Sequence, residues 1–358
     1  MQANLLDITS TAWHAALERC SHDCHHTPAW LKTAERSERG RAFAVHVTNG
    51  THELLVPFVR RELTEGLWDA TSPYGYGGPL LSMGAPPDFA DTAFRAVVQM
   101  LREAGCVSCF LRLHPLLNAH WKSSMGLVLK QGLTVSVDLT KPPEKLWQET
   151  QSRHKIGINR ARRAGVTVRF DENFETLPRF VEIYNQTMTR RCATEYYFFD
   201  KQYYRSLVDE LGDDLLLLVA EEAGEVIGGA LFTLARRSGI MQYHLSGSDW
   251  DYRHRQPTKI IIHTAREWGR SNGFSRLHLG GGLGSAMDSL HEFKRGFSPD
   301  THVFATQRVV VNPEAYRALS EGRTTSAGDL SGYFPAYRLP VHAKTPAGSR
   351  RTALALTP

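Results

Sequence analysis

The chain has 358 residues, of which 42% are hydrophobic and 22% are charged, and its formal net charge is +5. This composition is ordinary for a globular protein of one large or two smaller domains, and the positive charge permits an anionic partner without requiring one. Because no run of about 18 apolar residues occurs, we expect no membrane-spanning helix. Residues 1–7 lack the features of a signal peptide, and the five cysteines have no framework spacing, so we expect a reduced, cytoplasmic protein.

The first half of the chain predicts three strands, a loop, a helix and a fourth strand. Asn49-Gly50 is a strong signal for a hairpin between the first two strands. Residues 72–79 (SPYGYGGP) form a glycine-rich loop, and apolar residues at helical spacing predict a helix at residues 87–104. Gly105 stands where a glycine commonly ends a helix. The predicted strands are 41–48, 53–61, 67–71 and 106–113.

A further strand at residues 134–140 leads to a predicted helix at 144–164 whose charge is of one sign. No acidic residue occurs between Glu149 and Asp171, although exposed helices usually mix charges one turn apart. The pattern favours contact with an anion such as RNA or a phosphorylated ligand, and a solvated helix face is the alternative. Gly157 costs about 1 kcal/mol inside a helix, so we expect a break or a close contact there. The basic residues are Arg153, Lys155, Arg160, Arg162 and Arg163.

The second half repeats the order of the first. A polar loop at residues 247–257 precedes a predicted helix at 258–271, and Gly273 ends that helix. Both halves therefore have three strands, a loop, a helix, a glycine and a strand. This repetition predicts an α+β protein that uses one architecture twice, although other α+β chains can give such patterns. The predicted strands are 215–221, 226–235, 240–246 and 274–279.

The last of these strands runs directly into Gly280, Gly281 and Gly282. Glycines at a strand end let the backbone turn sharply or approach a ligand closely. Lys294 and Arg295 follow after a predicted helical turn. Their positive charges suit an anion, or a developing oxyanion, bound at the glycine-rich end of the strand.

The cysteines do not predict a metal or redox site. Cys20 and Cys24 lie one helical turn apart among histidines, and we interpret this segment as a helix and turn. Cys106 and Cys109 lie on one strand, where residues three apart face opposite sides. Cys192 has no identifiable base beside it in the sequence.

Four segments resemble the FemABX family of peptidyltransferases, a branch of the GNAT acyltransferase superfamily. The resemblance implies two tandem GNAT-like domains, each a mixed central sheet flanked by helices. We expect them at residues 1–140 and 141–312, followed by an extension at 313–358 that is flexible after about residue 340. The segments are 27–31 (TPAWL), 72–79, 137–166 (VDLT and the basic helix ending INRARRAGV), and 279–297 (beginning LGG and ending FKRGF).

Members of this family typically transfer an amino acid from aminoacyl-tRNA to an amine, most often on a peptidoglycan precursor or, in some relatives, on a small natural product. By this resemblance, Lys294 matches the lysine near the acyl-transfer centre. Arg191 and Tyr243 resemble residues that hold the acceptor. The best-known members with tRNA-binding arms carry a long helical hairpin in the second domain. This chain has no heptad run, so it would have to hold tRNA differently.

The implied chemistry is aminolysis of an activated ester. The amine attacks the aminoacyl carbonyl, and we expect Lys294 and the amides of Gly280, Gly281 and Gly282 to stabilise the oxyanion. The alternative for Lys294 is a surface lysine on a basic turn. The general base remains open among Asp288, His291 and Glu292, which are the nearest candidates in the sequence.

The first-half loop carries two aromatic residues, Tyr74 and Tyr76, beside its glycines. Aromatic faces there could line a groove for the acceptor, and surface turn residues are the alternative. We expect an aminoacyl-tRNA donor and an amine acceptor as partners, no cofactor, no metal, no integral membrane association and a monomeric protein.

Two other functions are compatible with the fold. GNAT enzymes that use CoA typically carry a Gln/Arg-x-x-Gly-x-Gly/Ala loop before the central helix, and its amides hold the diphosphate. The corresponding residues 253–258 (RHRQPT) contain no glycine, and Pro257 removes an amide donor, which disfavours CoA-dependent N-acylation. Arg253 and Arg255 could meet the phosphates of another ligand. A non-catalytic module that binds RNA or a cell-wall precursor would retain the basic helix but would tolerate loss of Lys294.

Overall fold

The computed structural model describes residues 1–323 and 329–339, so the segment after residue 340 that we expect to be flexible lies outside the described residues. The chain divides into two compact units. Unit 1 contains Met1–Gly132, Gly284–Ala286 and the described residues from Val303 onward, and unit 2 contains Leu133–Leu283 and Met287–His302. These units differ from the predicted limits at residues 140 and 312, because a strand after residue 300 pairs with the strand that ends at Leu113.

The elements largely follow the predicted order. Among the described residues, no helix combines the length and the hydropathy that crossing a bilayer requires. The strands are β1 Gln2–Asp7, β2 Arg41–Thr48, β3 Glu53–Thr64, β4 Leu67–Thr71, β5 Leu80–Leu81, β6 Cys106–Leu113, β7 Leu127–Asp138, β8 Thr167–Phe170, β9 Leu215–Glu222, β10 Glu225–Ala235, β11 Ile240–Ser248, β12 Arg276–Gly281 and β13 Thr301–Val310. The helices are α1 Thr11–Arg19, α2 Pro28–Ser37, α3 Pro87–Glu103, α4 Pro143–Glu149, α5 Ser152–Arg163, α6 Leu177–Arg190, α7 Lys201–Leu211, α8 Pro257–Ser271, α9 Ser289–Arg295 and α10 Pro313–Ser320.

The sheet of unit 1 has the strand order β1-β2-β3-β4-β6-β13, and β5 pairs with β3. Strands β4 and β6 are parallel, since helix α3 crosses between them, and the other pairs of this order are antiparallel. Helix α3 covers the sheet with an apolar face at helical spacing. This face includes the buried residues Ala93, Phe94, Val97 and Leu101.

The sheet of unit 2 has the strand order β7-β12-β11-β10-β9-β8. Strands β11 and β12 are parallel across the crossover helix α8, and the remaining neighbours are antiparallel. Helix α8 packs Ile260, Ile261 and Ala265 into the core. Each unit therefore has three antiparallel strands, a helix and a parallel strand, which confirms the predicted α+β class and the predicted duplication.

The predicted single helix at residues 144–164 is wrong, because the chain forms two helices, α4 and α5. The break lies at Thr150 and Gln151, where the backbone N–H of Gln151 donates to the carbonyl of Gly296 at 2.9 Å. Gly157 does not break α5. A Cβ at this position would lie 2.8 Å from Cδ of Lys259, so the glycine permits the close contact that we expect there.

The sequence patterns did not identify β1 or β13. Strand β13 completes the sheet of unit 1 through its pairing with β6. Part of the predicted C-terminal extension also packs on this unit, because Tyr316, Phe334 and Tyr337 form a cluster with Val107 and Phe110. This portion of the extension is therefore part of the core of unit 1.

A buried carboxylate organises the polar core of unit 1. Oδ2 of Asp23 accepts from Nδ1 of His25 at 2.9 Å and from Nε2 of His114 at 3.0 Å. Burial alone would raise the pKa of Asp23, but the charge of His25 and the hydrogen bond from His114 hold it well below its ordinary value. The His25 ring lies directly against Gly75, where a Cβ would come within 2.2 Å of it. The carboxylate thus fixes the glycine-rich loop through His25.

We expect Asp23→Asn to lower the free energy of unfolding of the protein by about 3 kcal/mol at pH 7, because one buried amide oxygen cannot replace a carboxylate shared by two imidazoles. Since the pKa of Asp23 is depressed, its contribution is present above the ordinary aspartate pKa of 3.8 and is lost as the pH falls through the lower folded-state pKa. Urea unfolding at pH 7 measures the effect. The exposed Asp7→Asn is the control, and equal losses in both variants would contradict a structural role for Asp23.

Candidate active site around Lys294

The short helix α9 begins at a carboxylate cap. Oδ1 of Asp288 accepts from the backbone N–H groups of Leu290 and His291 at 3.0 and 2.9 Å. Its Oδ2 accepts from the N–H of Leu283 at 3.0 Å. Asp288 therefore satisfies the first backbone donors of α9 and ties the helix to the end of the preceding strand segment.

Lys294 is buried on α9 and points at the glycine-rich end of β12. Its Nζ donates to the carbonyl oxygen of Gly281 at 2.6 Å. Burial lowers the pKa of Lys294 from 10.5 to about 8, and the nearby charge of Asp288 opposes that shift. A cation with this acidity is protonated at neutral pH but is held with little solvent around it.

The ammonium group lies where β11 and β12 separate. The two strands pair only from Ile240 opposite Arg276 to Gln242 opposite His278. In the last pair, Nδ1 of His278 contacts Oε1 of Gln242 at 2.6 Å. Beyond it, β12 pairs only with β7 on its other side, up to Gly281 opposite Thr134.

Tyr243 follows the last paired residue of β11. Its ring centroid lies 5.9 Å from Nζ of Lys294. The Tyr243 hydroxyl donates to Oγ of Ser246, and burial raises its pKa to about 12, so this tyrosine is neutral. The structure thus brings Lys294, Gly281 and Tyr243 close together, and the roles predicted for them remain predictions.

The three candidate bases have different surroundings. Asp288 is committed to capping α9, and Glu292 is exposed. His291 is completely buried, and neither of its ring nitrogens has a hydrogen-bond partner among the described residues. A buried imidazole without partners is costly, by about 1–3 kcal/mol for each lost bond. His291 also shares a face of α9 with Lys294, three residues further on.

The position of α9 depends on His154 of α5. Nε2 of His154 contacts the carbonyl oxygen of Phe293 at 2.8 Å, and its ring lies 4.6 Å from that of Phe297. Burial, with the charges of Lys259 and Arg153, lowers the pKa of His154 to about 4. The neutral ring fills the space beside Gly296, where a Cβ would come within 2.2 Å of it.

The basic residues of α5 belong to the same unit as Lys294, and one of them contacts α9. Arg153 donates to the carbonyl oxygen of Glu292 at 2.7 Å, and Lys155 donates to that of Gln148 at 3.2 Å. Nζ of Lys259, from α8, donates to the carbonyl oxygen of Arg153 at 3.3 Å. Arg160 is exposed. We call Arg153, Lys155, Arg160 and Lys259 the basic face; no ion pair with a described carboxylate neutralises it.

The other predicted anion-binding residues have different partners. Arg162 contacts Nε2 of His263 at 2.5 Å, and Arg163 donates to the carbonyl oxygen of Asn159 within its own helix at 3.3 Å. Arg255 forms an ion pair with Glu222 at 2.8 Å, so its charge is balanced. Arg253 stacks on Trp250, with its guanidinium carbon 4.3 Å from the ring centroid.

The predicted acceptor-binding residues divide between the two units. Arg191 is exposed at the C-terminal end of α6 in unit 2. Tyr74 and Tyr76 belong to unit 1, where the carbonyl of Tyr74 accepts from Nε1 of Trp30 at 3.0 Å. The Tyr76 ring packs against Phe304, with 5.2 Å between the centroids. Their roles towards an acceptor remain predictions.

The sequence analysis missed Lys259 and the positioning role of His154. Lys259 is a single charged residue in the first turn of α8, and its proximity to Arg153 depends on how two helices pack. A partial signal was available in Gly157, whose missing side chain admits Lys259. No local pattern could have paired His154 with Gly296.

Comparisons with known proteins agree with this architecture. Residues 149–295 match the acetyltransferase (GNAT) domain family. The structure is similar to that of FemX, with a TM-score of 0.68 and 13% sequence identity, over 89% of this chain and 99% of that one. It is also similar to L-PGS from Bacillus licheniformis, with a TM-score of 0.51 and 15% identity, over 84% of this chain and 91% of that one.

A conserved protein of unknown function from Bacteroides thetaiotaomicron has a similar fold, with a TM-score of 0.55 and 8% identity, over 86% of this chain and 100% of that one. No curated protein matches the sequence. The matched residues include α5, β11, α8 and α9, and hence Lys294, Tyr243 and the basic face. The chain therefore has a fold like that of FemX, with two tandem GNAT-like units, and residues 149–295 of it match the acetyltransferase (GNAT) domain family.

Proposed function

We propose that this protein transfers an aminoacyl group from aminoacyl-tRNA to the amine of an acceptor and so forms an amide bond. The observation that carries this proposal is the buried ammonium of Lys294, held on the carbonyl of Gly281 where β11 and β12 diverge. It supplies positive charge at low exposure, which an oxyanion requires. The basic face beside it suits the phosphates of a nucleic-acid donor.

The proposed reaction begins when the neutral amine attacks the ester carbonyl carbon, forming a C–N bond and a tetrahedral oxyanion. Lys294 stabilises this charge, with the amides of Gly280 and Gly282 as further donors. The C–O bond to the ribose then breaks, and the free hydroxyl of the tRNA leaves with a proton that originates from the attacking amine. His291 is our candidate to carry that proton, because its ring nitrogens have no described partner.

The structure gives a physical reason to disfavour CoA as the donor. The amides of Arg253, Arg255 and Gln256 donate to the carbonyls of Trp250, Tyr252 and Arg253, at 3.2, 2.9 and 3.2 Å. Pro257, the first residue of α8, has no amide hydrogen. The turn before α8 therefore uses its own donors internally and has few left for a diphosphate.

The acceptor proposed here is an amine on a peptidoglycan precursor or on a small natural product. In unit 2, Arg191 and Tyr243 are the residues we propose for its binding. In unit 1, Tyr74 and Tyr76 keep the role predicted from the sequence. The packing of Tyr76 against Phe304 gives its ring a fixed orientation, which favours a binding surface over a mobile turn.

The donor is tested by incubating the protein with radiolabelled aminoacyl-tRNA or acetyl-CoA and an amine acceptor panel. We expect amide formation from aminoacyl-tRNA and none above background from acetyl-CoA. Hydroxylamine can serve as a small general acceptor in the same assay. Turnover of acetyl-CoA without turnover of aminoacyl-tRNA would overturn the proposed function and favour CoA-dependent N-acylation.

We expect Lys294→Met to lower kcat by about 100-fold or more, because it removes a charge that acts on the transition state. The same variant should be more stable than the wild type at pH 7, by about 1–2 kcal/mol. A pKa lowered from 10.5 to about 8 corresponds to a cost of about 3 kcal/mol for the buried charge, and the lost hydrogen bond to Gly281 offsets part of it.

The pH dependence of this stability gain follows from the coupling between proton binding and folding. The unfolded chain holds the lysine proton up to a pH near 10.5, whereas the folded chain releases it near pH 8. Wild-type stability therefore rises across this window, and the advantage of Lys294→Met disappears there. Urea unfolding at pH 7 and pH 10.5 measures this. Lys145→Met, at an exposed lysine of α4, is the control, and unchanged turnover in Lys294→Met would remove Lys294 from the mechanism.

The pH profile of kcat/KM distinguishes the two roles that a lysine can have. If Lys294 stabilises the oxyanion as a cation, wild-type kcat/KM falls as the pH rises through about 8. Lys294→Arg retains its charge, so the alkaline decline should be absent from this variant even if its rate is lower. A wild-type rate that instead rises through pH 8, and no longer does so in Lys294→Arg, would assign Lys294 as the base.

A further inference from the structure

A half-exposed tryptophan on unit 2 has two arginines close to its ring. Trp250 follows β11 and is 53% exposed. The guanidinium carbons of Arg253 and Arg190 lie 4.3 and 5.5 Å from its ring centroid. We call these three residues the Trp250 platform.

Backbone contacts hold the platform in place. Arg253 donates to the carbonyl oxygen of Trp250 at 2.8 Å. Arg190 donates to the carbonyl oxygen of Ser248 at 2.8 Å. Neither guanidinium forms an ion pair with a carboxylate in the described part of the chain, and the neighbouring Asp249 is bound by Arg179 at 2.7 Å. The platform therefore presents planar groups with two uncompensated positive charges.

The platform is connected to the basic face. The helical turn Arg253–Arg255 contacts α5. Gln256, the next residue, also lies against Gly157, where a Cβ would be 3.3 Å from its Oε1. Lys259 lies against the same glycine. Burial, followed by the charges of Arg153 and Arg160, lowers the pKa of Lys259.

We propose that the Trp250 platform and the basic face together bind single-stranded RNA, with a nucleobase stacked on the platform and successive phosphates on Arg153, Arg160 and Lys259. Unpaired bases stack on aromatic rings and on guanidinium planes, whereas a duplex hides their faces. The inference rests on the proposed function, since it assigns this surface to the unpaired end of the RNA donor.

An anionic membrane is the other partner that basic residues beside exposed apolar ones can fit. Ile156, on α5, is 57% exposed and could contribute to such a surface. However, inserting Trp250 into lipid would carry the stacked guanidinium of Arg253 towards a medium of low dielectric constant. Stacking with a base keeps both guanidiniums hydrated at their edges, so the geometry favours RNA.

The test measures binding of a fluorescein-labelled single-stranded 12-nucleotide RNA and of the same RNA in a duplex, by anisotropy. We expect the wild type to bind the single strand more tightly, and Trp250→Ala to weaken that binding by about tenfold. Trp250→Phe should retain part of the affinity because it keeps an aromatic face. Phe198→Ala, at another exposed aromatic residue of unit 2, is the control and should have no effect.

A salt series separates stacking from charge. Arg160→Ala and Lys259→Ala should each reduce the slope of log Kd against log salt by about one for the single strand, whereas Trp250→Ala should leave the slope unchanged. The control is Arg205→Ala, at an exposed arginine of α7. Thermal unfolding of each variant confirms that the loss is not a loss of folded protein.

The outcomes distinguish this inference from the proposed function. Unchanged single-strand affinity in Trp250→Ala would overturn the inference even if aminoacyl transfer is observed. Binding to vesicles of phosphatidylcholine and phosphatidylglycerol that depends on Trp250, without RNA binding that depends on it, would overturn it in favour of a membrane. Single-strand binding that depends on Trp250 supports the surface even if no aminoacyl transfer is detected, in which case the proposed function alone fails.

Discussion

The hydrogen bond from the buried ammonium of Lys294 to the carbonyl of Gly281 is the interaction on which the site depends. A buried cation without an acceptor would be strongly unfavourable, so the bond requires a free carbonyl at this point. Strand β12 provides one because it separates from β11 after His278. Helix α9 must then hold Lys294 at the correct distance, and it is fixed by the Asp288 cap at one end and by His154 near the other.

This dependence links the chemistry to the stability of unit 2. The burial that lowers the pKa of Lys294 to about 8 also makes its charge costly to maintain in the folded protein. The imidazole of His291, on the same helix, is buried without a described hydrogen-bond partner, which is also costly. Groups that destabilise their own fold are expected where chemistry requires them, because packing elsewhere compensates. The apolar contacts of α8 with the sheet of unit 2 provide such packing.

The sequence predicted those helices and turns that local sequence patterns determine. The hairpin at Asn49-Gly50, the helix α3 and the crossover α8 follow from turn chemistry and helical periodicity, and each forms as expected. The division of residues 144–164 into two helices could not be predicted, because the hydrogen bond that replaces the helical one joins Gln151 to the distant Gly296. Strand β13 was missed for a similar reason, since its place in unit 1 depends on pairing with β6. For the site, the resemblance predicted roles for Lys294 and Tyr243, but only the packing of α5 on α8 shows that Lys259 lies beside the basic residues of α5.

One local conformation accounts for both the disfavoured CoA site and the proposed RNA surface. The turn at residues 250–256 uses its amides in short-range bonds and ends with Gln256 in the left-handed region, at φ 59°. Such a turn cannot offer the row of free amides that a diphosphate requires. It also directs Trp250 outwards with Arg253 stacked on it, next to the cations of α5 and α8. The turn therefore offers a ligand planar stacking and side-chain charge rather than a row of backbone amides. Unpaired nucleotides can be bound by stacking and by side-chain charge. Binding of a CoA diphosphate depends instead on free backbone amides, and this turn uses its amides in its own hydrogen bonds.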